Sequence, residues 1–322
     1  MIRLVLIGVA IATITVVLIP AQWLSVALRL PTQRSIPTAY HRMICALLGV
    51  RITTVGARYA EHPLLVVANH SSWLDIAVIT ALAPVVFVAK REVETWPLFG
   101  LLARLQRTVF VDRARRHKTG EVNARIAERL IEGDPVVLFA EGTSSDGNRV
   151  LPFRTALIGA ASDALARTEH VERMFIQPLS IAYTRLQGLP LGRQHRPMVS
   201  WYGGMDLIPH LGTVIRHGAI DVVATWGEPV AYDRGADRKN VAKVLEAAVR
   251  RTTITALRRD GRPLDQSGGS RGSRHSISPG KPVQGRQGAA RHNDGMSEAP
   301  ECRETRPQPE RPRSTSTRPA ST

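Results

Sequence analysis

The sequence predicts an α/β fold in which a mixed sheet is covered by helices on both faces. Between about Arg51 and Arg259, short apolar runs alternate with helix-length amphipathic runs, as an α/β domain requires. Several short runs have no polar alternation, which is typical of strands buried on both faces. A long uncharged run precedes this region, and a stretch poor in large apolar side chains follows it. We therefore expect a membrane anchor over residues 1–30, a folded domain over residues 31–259 and a disordered tail over residues 260–322.

The N-terminal run has no charged residue between Arg3 and Arg29. At ~1.5 Å per residue, a helix of this length crosses a hydrocarbon layer ~30 Å thick. Pro20 and Gln22 interrupt its second half, so a kinked or hairpin-like insertion into one leaflet stays an alternative. A secretory signal peptide, cleaved after positions 25–27, is the other alternative, but the apolar stretch exceeds the usual ~7–15 residues.

Positive charges are unequally placed around this run. Arg29, Arg34 and Arg42 follow it, whereas only Arg3 and the terminal amine precede it. Because basic residues concentrate on the cytoplasmic side of a membrane segment, the body of the protein is expected in the cytoplasm.

Strands and helices are expected in alternation along the folded domain. The strands are Arg51–Val55, Leu64–Ala68, Val85–Ala89, Thr108–Val111, Val136–Phe139, Phe175–Ala182 and Ile220–Thr225. The helices between them are Ser72–Leu82, Trp96–Leu105, Lys118–Ile131, Thr155–Ala166 and Arg238–Leu257.

The chain of 322 residues is strongly basic, with 43 Lys and Arg against 27 Asp and Glu and a formal charge of +16. A net charge of +12 precedes Asp260, so most of the excess belongs to the folded part. Such a surface favours anionic partners, namely nucleic acid, lipid head groups or a phosphorylated carrier. Only two cysteines occur, Cys45 and Cys302, far apart, which excludes a disulfide framework and a cysteine zinc site.

The sharpest local pattern is NHSSWLD, which runs from Asn69 to Asp75 where an apolar strand ends and a helix begins. One reading is structural, because Ser72 and Asp75 have the spacing of a capping box. In the other reading, Asp75 reaches back from the first turn of the helix to hold one imidazole nitrogen of His70. The second nitrogen is then free to act as a general base.

Charged residues also follow three other predicted strands. Lys90 ends one, Arg113 follows the next, and Glu141, Gly142 and Thr143 follow a third. Each of these alone reads as an ordinary strand end or turn. Together with His70 they predict a site at one edge of the sheet, where ligands bind in α/β proteins.

Four ordered blocks resemble the glycerolipid acyltransferase family, the group that includes bacterial 1-acyl-glycerol-3-phosphate acyltransferases. They are NHSSWLD at Asn69–Asp75, TVFVDR at Thr108–Arg113, FAEGTSS at Phe139–Ser145 and IQPLSIAY at Ile176–Tyr183. The resemblance covers about residues 51–230. It implies a membrane-bound O-acyltransferase of lipid biosynthesis that moves a fatty acyl group from acyl-ACP or acyl-CoA to the hydroxyl of a lyso-lipid.

The resemblance also implies the roles of single residues. His70 is the catalytic base and Asp75 its orienting partner, with no metal and no bound cofactor. The substrate-binding residues that it implies are Asn69, Lys90, Arg113, Glu141, Gly142 and Thr143. The expected partners are membrane lipids, an acyl carrier protein or CoA thioester and a lyso-lipid acceptor, without nucleic acid. The expected location is the bacterial inner membrane, with the catalytic domain on its cytoplasmic side.

The sequence departs from the family pattern at three positions. Ala140 and Ser144 stand where the third block commonly has proline and arginine, and Arg107 stands where the second block usually has glycine. An arginine gives a phosphate bidentate hydrogen bonds that a serine cannot supply. The segments around the third and fourth blocks look most like the alphaproteobacterial branch that acylates lyso-ornithine lipid, some of whose members also act on lysophosphatidic acid. Arg149 and Arg154 are candidates for the missing cation, so both acceptors stay open.

Two other classes of protein are alternatives to an acyltransferase. A serine hydrolase is rejected, because the Gly-x-Ser-x-Gly match at Gly268–Gly272 lies in the expected tail rather than in a strand-to-helix turn. A non-enzymatic basic membrane-associated or nucleic-acid-binding protein is favoured by net charge alone. Aromatic residues make up only 5% of the chain and are not interleaved with basic ones, as stacking surfaces would require.

Overall fold

The computed structural model describes residues 2–111, 119–155, 158–159, 173–233 and 235–259. Its helices are α1 Ile2–Ala27, α2 Thr32–Leu48, α3 Leu74–Leu82, α4 Arg91–Glu94, α5 Phe99–Leu105, α6 Thr119–Ile131, α7 Leu207–His217 and α8 Arg238–Arg258. Its strands are β1 Val50–Val55, β2 Leu64–Ala68, β3 Val86–Lys90, β4 Val109–Val111, β5 Val136–Phe139, β6 Arg173–Leu186, β7 Leu189–Pro190, β8 Ile220–Trp226 and β9 Val230–Asp233.

The strands form one mixed sheet in the order β1-β8-β6-β2-β5-β3-β4, with β7 and β9 also paired to β6. Strands β2, β3, β4, β5 and β6 run parallel to their neighbours in this group, whereas β8 and β9 are antiparallel to β6. The carboxyl ends of β2, β5, β3 and β4 therefore lie side by side. We call this the carboxyl edge of the sheet.

Helices cover both faces of the sheet, as predicted. Strand β2 alternates between two separate cores: Leu64 and Val66 pack with side chains of α2, α3 and α7, and Leu65 and Val67 pack with side chains of α6 and α8. All five residues of β2 are buried. This explains why the strand reads as a continuous apolar run with no polar alternation.

All seven predicted strands are present, two with the predicted bounds and five with an end shifted by one to four residues, and four of the five predicted helices are confirmed. The predicted helix Thr155–Ala166 lies largely outside the described residues, and the predicted tail lies entirely outside them. The prediction lacked α2, α4, α7, β7 and β9.

Helix α1 has its polar side turned inward. Thr15, Gln22 and Ser25 are its buried residues, whereas apolar side chains such as Val9 and Val16 are exposed. The helix packs on α2, α5 and α7, and Leu4, Ile7 and Ile11 of α1 also lie against the core. Within the part of the chain that the structure describes, α1 is the one helix long and apolar enough to cross a membrane.

Helix α2, which the sequence did not predict, contains Pro37. Proline has no N–H, so the carbonyl of Gln33, four residues earlier, lacks its usual helical donor. The side chain of Gln22 in α1 supplies one: its Nε2 donates to Gln33 O at 3.0 Å and also to Leu105 O, at the end of α5, at 2.8 Å. One polar side chain of the apolar helix thus joins three helices.

Candidate active site

The carboxyl edge brings together the ends of the strands that the sequence analysis singled out. Ala68, the last residue of β2, is in register with Phe139, the last residue of β5. His70 and Glu141 each come two residues later. Lys90 ends β3, the next strand along this edge. The loops after β2 and β5 are in direct contact, because the backbone N–H of His70 donates to Glu141 Oε1 at 3.0 Å.

His70 and Asp75 form a hydrogen-bonded pair. His70 Nδ1 lies 2.9 Å from Asp75 Oδ2, and the imidazole stacks on the ring of Phe139 with centroids 4.0 Å apart and planes 18° apart. The side chain of His70 is 17% exposed and that of Asp75 is fully buried. With Nδ1 bound to the carboxylate, Nε2 is the nitrogen left to meet a substrate.

The carboxylate of Asp75 accepts hydrogen bonds on both oxygens. Besides His70, Oδ2 accepts from the backbone N–H groups of Ser71 at 2.8 Å and Ser72 at 2.9 Å, and Oδ1 accepts from the hydroxyl of Tyr183 at 2.6 Å. Donors on both oxygens fix the orientation of this buried carboxylate. Asp75 thus binds the two backbone N–H groups that precede α3 and orients the imidazole. The capping box is only half formed, because Ser72 Oγ donates to Val199 O, and the backbone N–H of Asp75 donates to Ser72 O rather than to Oγ.

Glu141 holds the His70 loop from the side of β5. Its Oε1 accepts from His70 N, and its Oε2 accepts from Leu151 N at 3.1 Å. Burial raises the pKa of Glu141 to about 8, and the charges of Asp75 and Glu246 act in the same direction, while the two backbone N–H groups oppose this shift. Ser145 completes the support, because its backbone N–H donates to His70 O at 2.9 Å.

The other implied substrate-binding residues occupy different settings. Asn69 is buried, and its amide exchanges two hydrogen bonds with the backbone of Ile181 in β6, at 2.8 and 2.9 Å. Gly142 is buried in the turn after β5 with a φ of 72°, a conformation that favours glycine. Thr143 and Lys90 are exposed.

The arginines that the sequence singled out do not all lie at the carboxyl edge. Arg113 lies outside the described residues, and the two candidates for the missing cation, Arg149 and Arg154, are exposed. Arg107 is not near His70: it precedes β4, at the opposite edge, and its Nη2 lies 2.5 Å from Asp134 Oδ2. Its φ of 62° is left-handed, a conformation that favours glycine, the residue that the family pattern usually has at this position.

The sequence analysis missed the contacts that cover the motif. Tyr183, the last residue of the fourth block, lies in a buried strand, where a tyrosine hydroxyl must find a partner. The segment before α7 also contacts the motif: Trp201 N donates to Ser71 O, and Ser72 Oγ donates to Val199 O, each at 2.8 Å. These contacts join distant parts of the chain and leave no local signal.

Comparisons with known proteins give a consistent picture. The family model described as acyltransferase matches residues 49–182. The lyso-ornithine lipid O-acyltransferase of Brucella abortus (strain 2308) is 50% identical over 80% of this chain and 96% of its own length, and that of Rhizobium meliloti (strain 1021) is 45% identical over 80% and 88%. The 1-acyl-sn-glycerol-3-phosphate acyltransferase of Neisseria meningitidis (serogroup B, strain MC58) is 41% identical over 39% of this chain and 50% of its own length.

The fold also has a solved counterpart. The crystal structure of the 1-acyl-sn-glycerophosphate (LPA) acyltransferase from Thermotoga maritima matches with a TM-score of 0.52 over 79% of this chain and 96% of that chain. Their sequences are 22% identical, so this likeness concerns the fold alone.

Proposed function

The chain belongs to the acyltransferase family and is an acyltransferase of membrane-lipid biosynthesis, and from this premise we propose that it acylates the free hydroxyl of lyso-ornithine lipid. The observation that carries the proposal is the pair formed by His70 Nδ1 and Asp75 Oδ2, 2.9 Å apart at the carboxyl edge of the sheet. A buried carboxylate and a partly exposed imidazole are the parts that general-base catalysis needs.

In the proposed mechanism, Nε2 of His70 removes the proton from the acceptor hydroxyl as its oxygen attacks the thioester carbonyl. The new C–O ester bond forms and the C–S bond breaks, without an acyl-enzyme. The imidazolium then returns the proton to the departing thiolate. Asp75 fixes the tautomer that carries hydrogen on Nδ1 and stabilises the imidazolium. The donor is acyl-ACP or acyl-CoA, and the mechanism uses no resident metal or cofactor.

The surrounding residues have supporting roles in this proposal. Glu141 and Asn69 hold the backbone on either side of His70, through His70 N and the backbone of Ile181. Lys90, Thr143 and Arg113 are proposed to meet the acceptor head group.

The proposed acceptor agrees with Ser144. Lysophosphatidic acid carries a phosphate monoester, which an arginine binds with bidentate hydrogen bonds, whereas ornithine carries a single carboxylate with less negative charge. With serine in place of the family's arginine, the site lacks a guanidinium that would bind a phosphate more strongly than a carboxylate. The 50% identity to the relative from Brucella abortus supports the same acceptor.

The outward apolar face of α1 supports a membrane location. Val9 is 61% and Val16 69% exposed, while Thr15, Gln22 and Ser25 face the protein. A helix with this arrangement fits an insertion into one leaflet alongside the body better than a free crossing, because its polar groups are bonded to the protein. We place the protein at the inner membrane, with the catalytic domain on the cytoplasmic side.

An acyl-transfer assay tests the function. Membranes that contain the protein are incubated with labelled acyl-ACP or acyl-CoA and, separately, with lyso-ornithine lipid and lysophosphatidic acid. We expect labelled ornithine lipid with the wild-type protein and loss of nearly all product with His70→Ala. The control His217→Ala changes a histidine at the end of α7 and should keep full activity. Equal product from His70→Ala and wild type would refute the mechanism, and no product with either acceptor would refute the function.

The acceptor is tested by restoring the family's arginine. Ser144→Arg should raise the rate with lysophosphatidic acid relative to lyso-ornithine lipid by about tenfold, as expected for one added charge-assisted contact. Ser144→Gln is the control, because it adds length and hydrogen bonding without charge. An unchanged acceptor ratio in the arginine variant would contradict the role given to this position.

A further inference from the structure

Tyr183 donates a hydrogen bond to the oxygen of Asp75 that faces away from His70. The distance from its hydroxyl to Asp75 Oδ1 is 2.6 Å, and the tyrosine is 4% exposed. It belongs to β6, which is paired with β2, the strand that ends just before His70. Three side chains from three elements thus form one continuous chain of hydrogen bonds: His70, Asp75 and Tyr183.

The placement of the two oxygens of Asp75 gives Tyr183 a distinct role. Oδ2 is shared by His70 and two backbone N–H groups, whereas Tyr183 is the donor found on Oδ1 within the part of the chain that the structure describes. A donor on Oδ1 withdraws negative charge from the carboxylate, and this weakens its attraction for the imidazolium. It also stops the carboxylate from rotating about its Cβ–Cγ bond.

Tyr183 is well suited to remain a donor. Burial raises the pKa of its hydroxyl well above the ordinary value, and the charge of Asp75 acts in the same direction. The hydroxyl therefore keeps its proton throughout the pH range in which an acyltransferase works. A serine or threonine hydroxyl would not reach this far from the strand, and a lysine would add a charge.

We propose that Tyr183 is a positioning residue for acyl transfer, which sets the orientation of Asp75 and the basicity of the His70 imidazole through the hydrogen bond to Oδ1. This inference rests on the proposed function. Tyr183, the last residue of the fourth block, then acts on acyl transfer through Asp75 and not through contact with substrate or the reacting atoms.

Two titratable side chains, Glu141 and Cys45, lie beside this series of hydrogen bonds. The carboxyl of Glu141 bonds the backbone of His70 from the β5 side, and the thiol of Cys45 in α2 lies on the side of Tyr183. Burial raises the pKa of Glu141 to about 8 and that of Cys45 to about 12. The thiol is therefore uncharged near neutral pH, and its effect does not change with pH there. Glu141 titrates near the upper end of the working range, so it is expected to affect the alkaline rather than the acidic limb of a pH profile.

The test is the pH dependence of kcat/KM in Tyr183→Phe, which keeps the ring and removes only the hydroxyl. Without its donor on Oδ1, Asp75 holds the imidazolium more strongly, so the acidic limb should move to higher pH by about half a unit. On the plateau, kcat should fall about threefold to tenfold while KM for the acyl donor stays unchanged, because the carboxylate is held less firmly.

The matched control is Tyr232→Phe, which removes another buried tyrosine hydroxyl, from β9 in the core on the opposite face of the sheet. Tyr232→Phe should leave the acidic limb where it is, whatever its effect on stability, because Tyr232 lies in a different core from Tyr183. A limb that stays in place in Tyr183→Phe, or moves equally in both variants, would overturn the proposal. Wild-type enzyme that is inactive with every acceptor would instead refute the proposed function.

A second measurement covers the case in which Tyr183→Phe does not fold. Wild-type protein that carries 3,5-difluorotyrosine at its five tyrosines has more acidic and hence stronger phenol donors. The acidic limb should then move to lower pH, opposite to the shift in the phenylalanine variant. An unchanged limb, or a shift to higher pH, would overturn the proposal.

Discussion

Replacing Asp75 by asparagine separates the charge of this residue from its shape. The asparagine oxygen can take the place of Oδ2 and keep the hydrogen bonds from Ser71, Ser72 and His70, while its amide nitrogen faces Tyr183, whose hydroxyl can turn to accept. The variant should therefore fold. What it loses is the negative charge beside the imidazolium that forms during transfer.

The size of this loss follows from the 2.9 Å between His70 Nδ1 and Asp75 Oδ2. With an effective dielectric constant of about 20, two unit charges at this distance attract each other by about 6 kcal/mol, which is an upper bound. The asparagine dipole retains part of this attraction, so we expect a loss of about 4 kcal/mol and a fall in kcat of about a thousandfold. KM should change little, because Asp75 is buried and does not touch substrate.

The assay is the initial rate of acyl transfer in membranes at saturating donor and acceptor, with the melting temperature of the purified protein measured alongside. Asp75→Ala is the contrasting variant, because it leaves the donors of the site unsatisfied and should lower stability by about 3 kcal/mol or more. A kcat for Asp75→Asn within about tenfold of the wild-type value would refute the view that a charged Asp75 stabilises the imidazolium.

Three further predictions concern stability and membrane binding. The carboxyl of Glu141 releases its proton near pH 4.5 when unfolded and near pH 8 when folded, so the free energy of unfolding should fall as pH rises between these values, and urea titrations of Glu141→Gln should lack this slope. Arg107→Ala and Arg107→Gly both lose the ion pairs to Asp134 and Glu132, but only the alanine variant keeps a side chain at the unfavourable φ of 62°. The glycine variant should therefore be more stable than the alanine variant by about 1 kcal/mol in urea, and equal stabilities would contradict this. Glutamate at both Val9 and Val16, on the outward face of α1, should abolish flotation with liposomes of anionic lipid, while glutamate at the exposed Val244 of α8 should not.

The carboxyl edge of the sheet could be predicted, because residues that are neighbours in the sequence identify it. Apolar strands that end in charged residues identify both the parallel sheet and the edge at which His70, Lys90 and Glu141 lie. The hydrogen-bond partners of each side chain could not be predicted, because they lie far away in the sequence. Glu141 faces the backbone of His70, and Asn69 faces the backbone of Ile181, more than a hundred residues away. Both residues are buried, and their hydrogen bonds shape the loop that carries His70, while their predicted contact with the acceptor stays a prediction.

Helix α2 connects α1, the proposed membrane helix, with α3, the helix that carries Asp75. Its residues Ile44 and Leu48 belong to the same core as Leu74, at the start of the helix that carries Asp75. Arg42 also donates to Ala81 O near the end of that helix, at 2.8 Å. Because α1 is hydrogen-bonded to α2 through Gln22, the apolar helix that is proposed to contact the bilayer also supports, through α2, the helix that carries Asp75. A cut after residue 30 would thus remove the membrane surface and also leave α2 without its partner, so loss of activity in such a truncation would not by itself show that the enzyme needs a membrane. The pair of glutamates at Val9 and Val16 makes that distinction, because these side chains point away from α2 and their replacement leaves the internal hydrogen bonds in place.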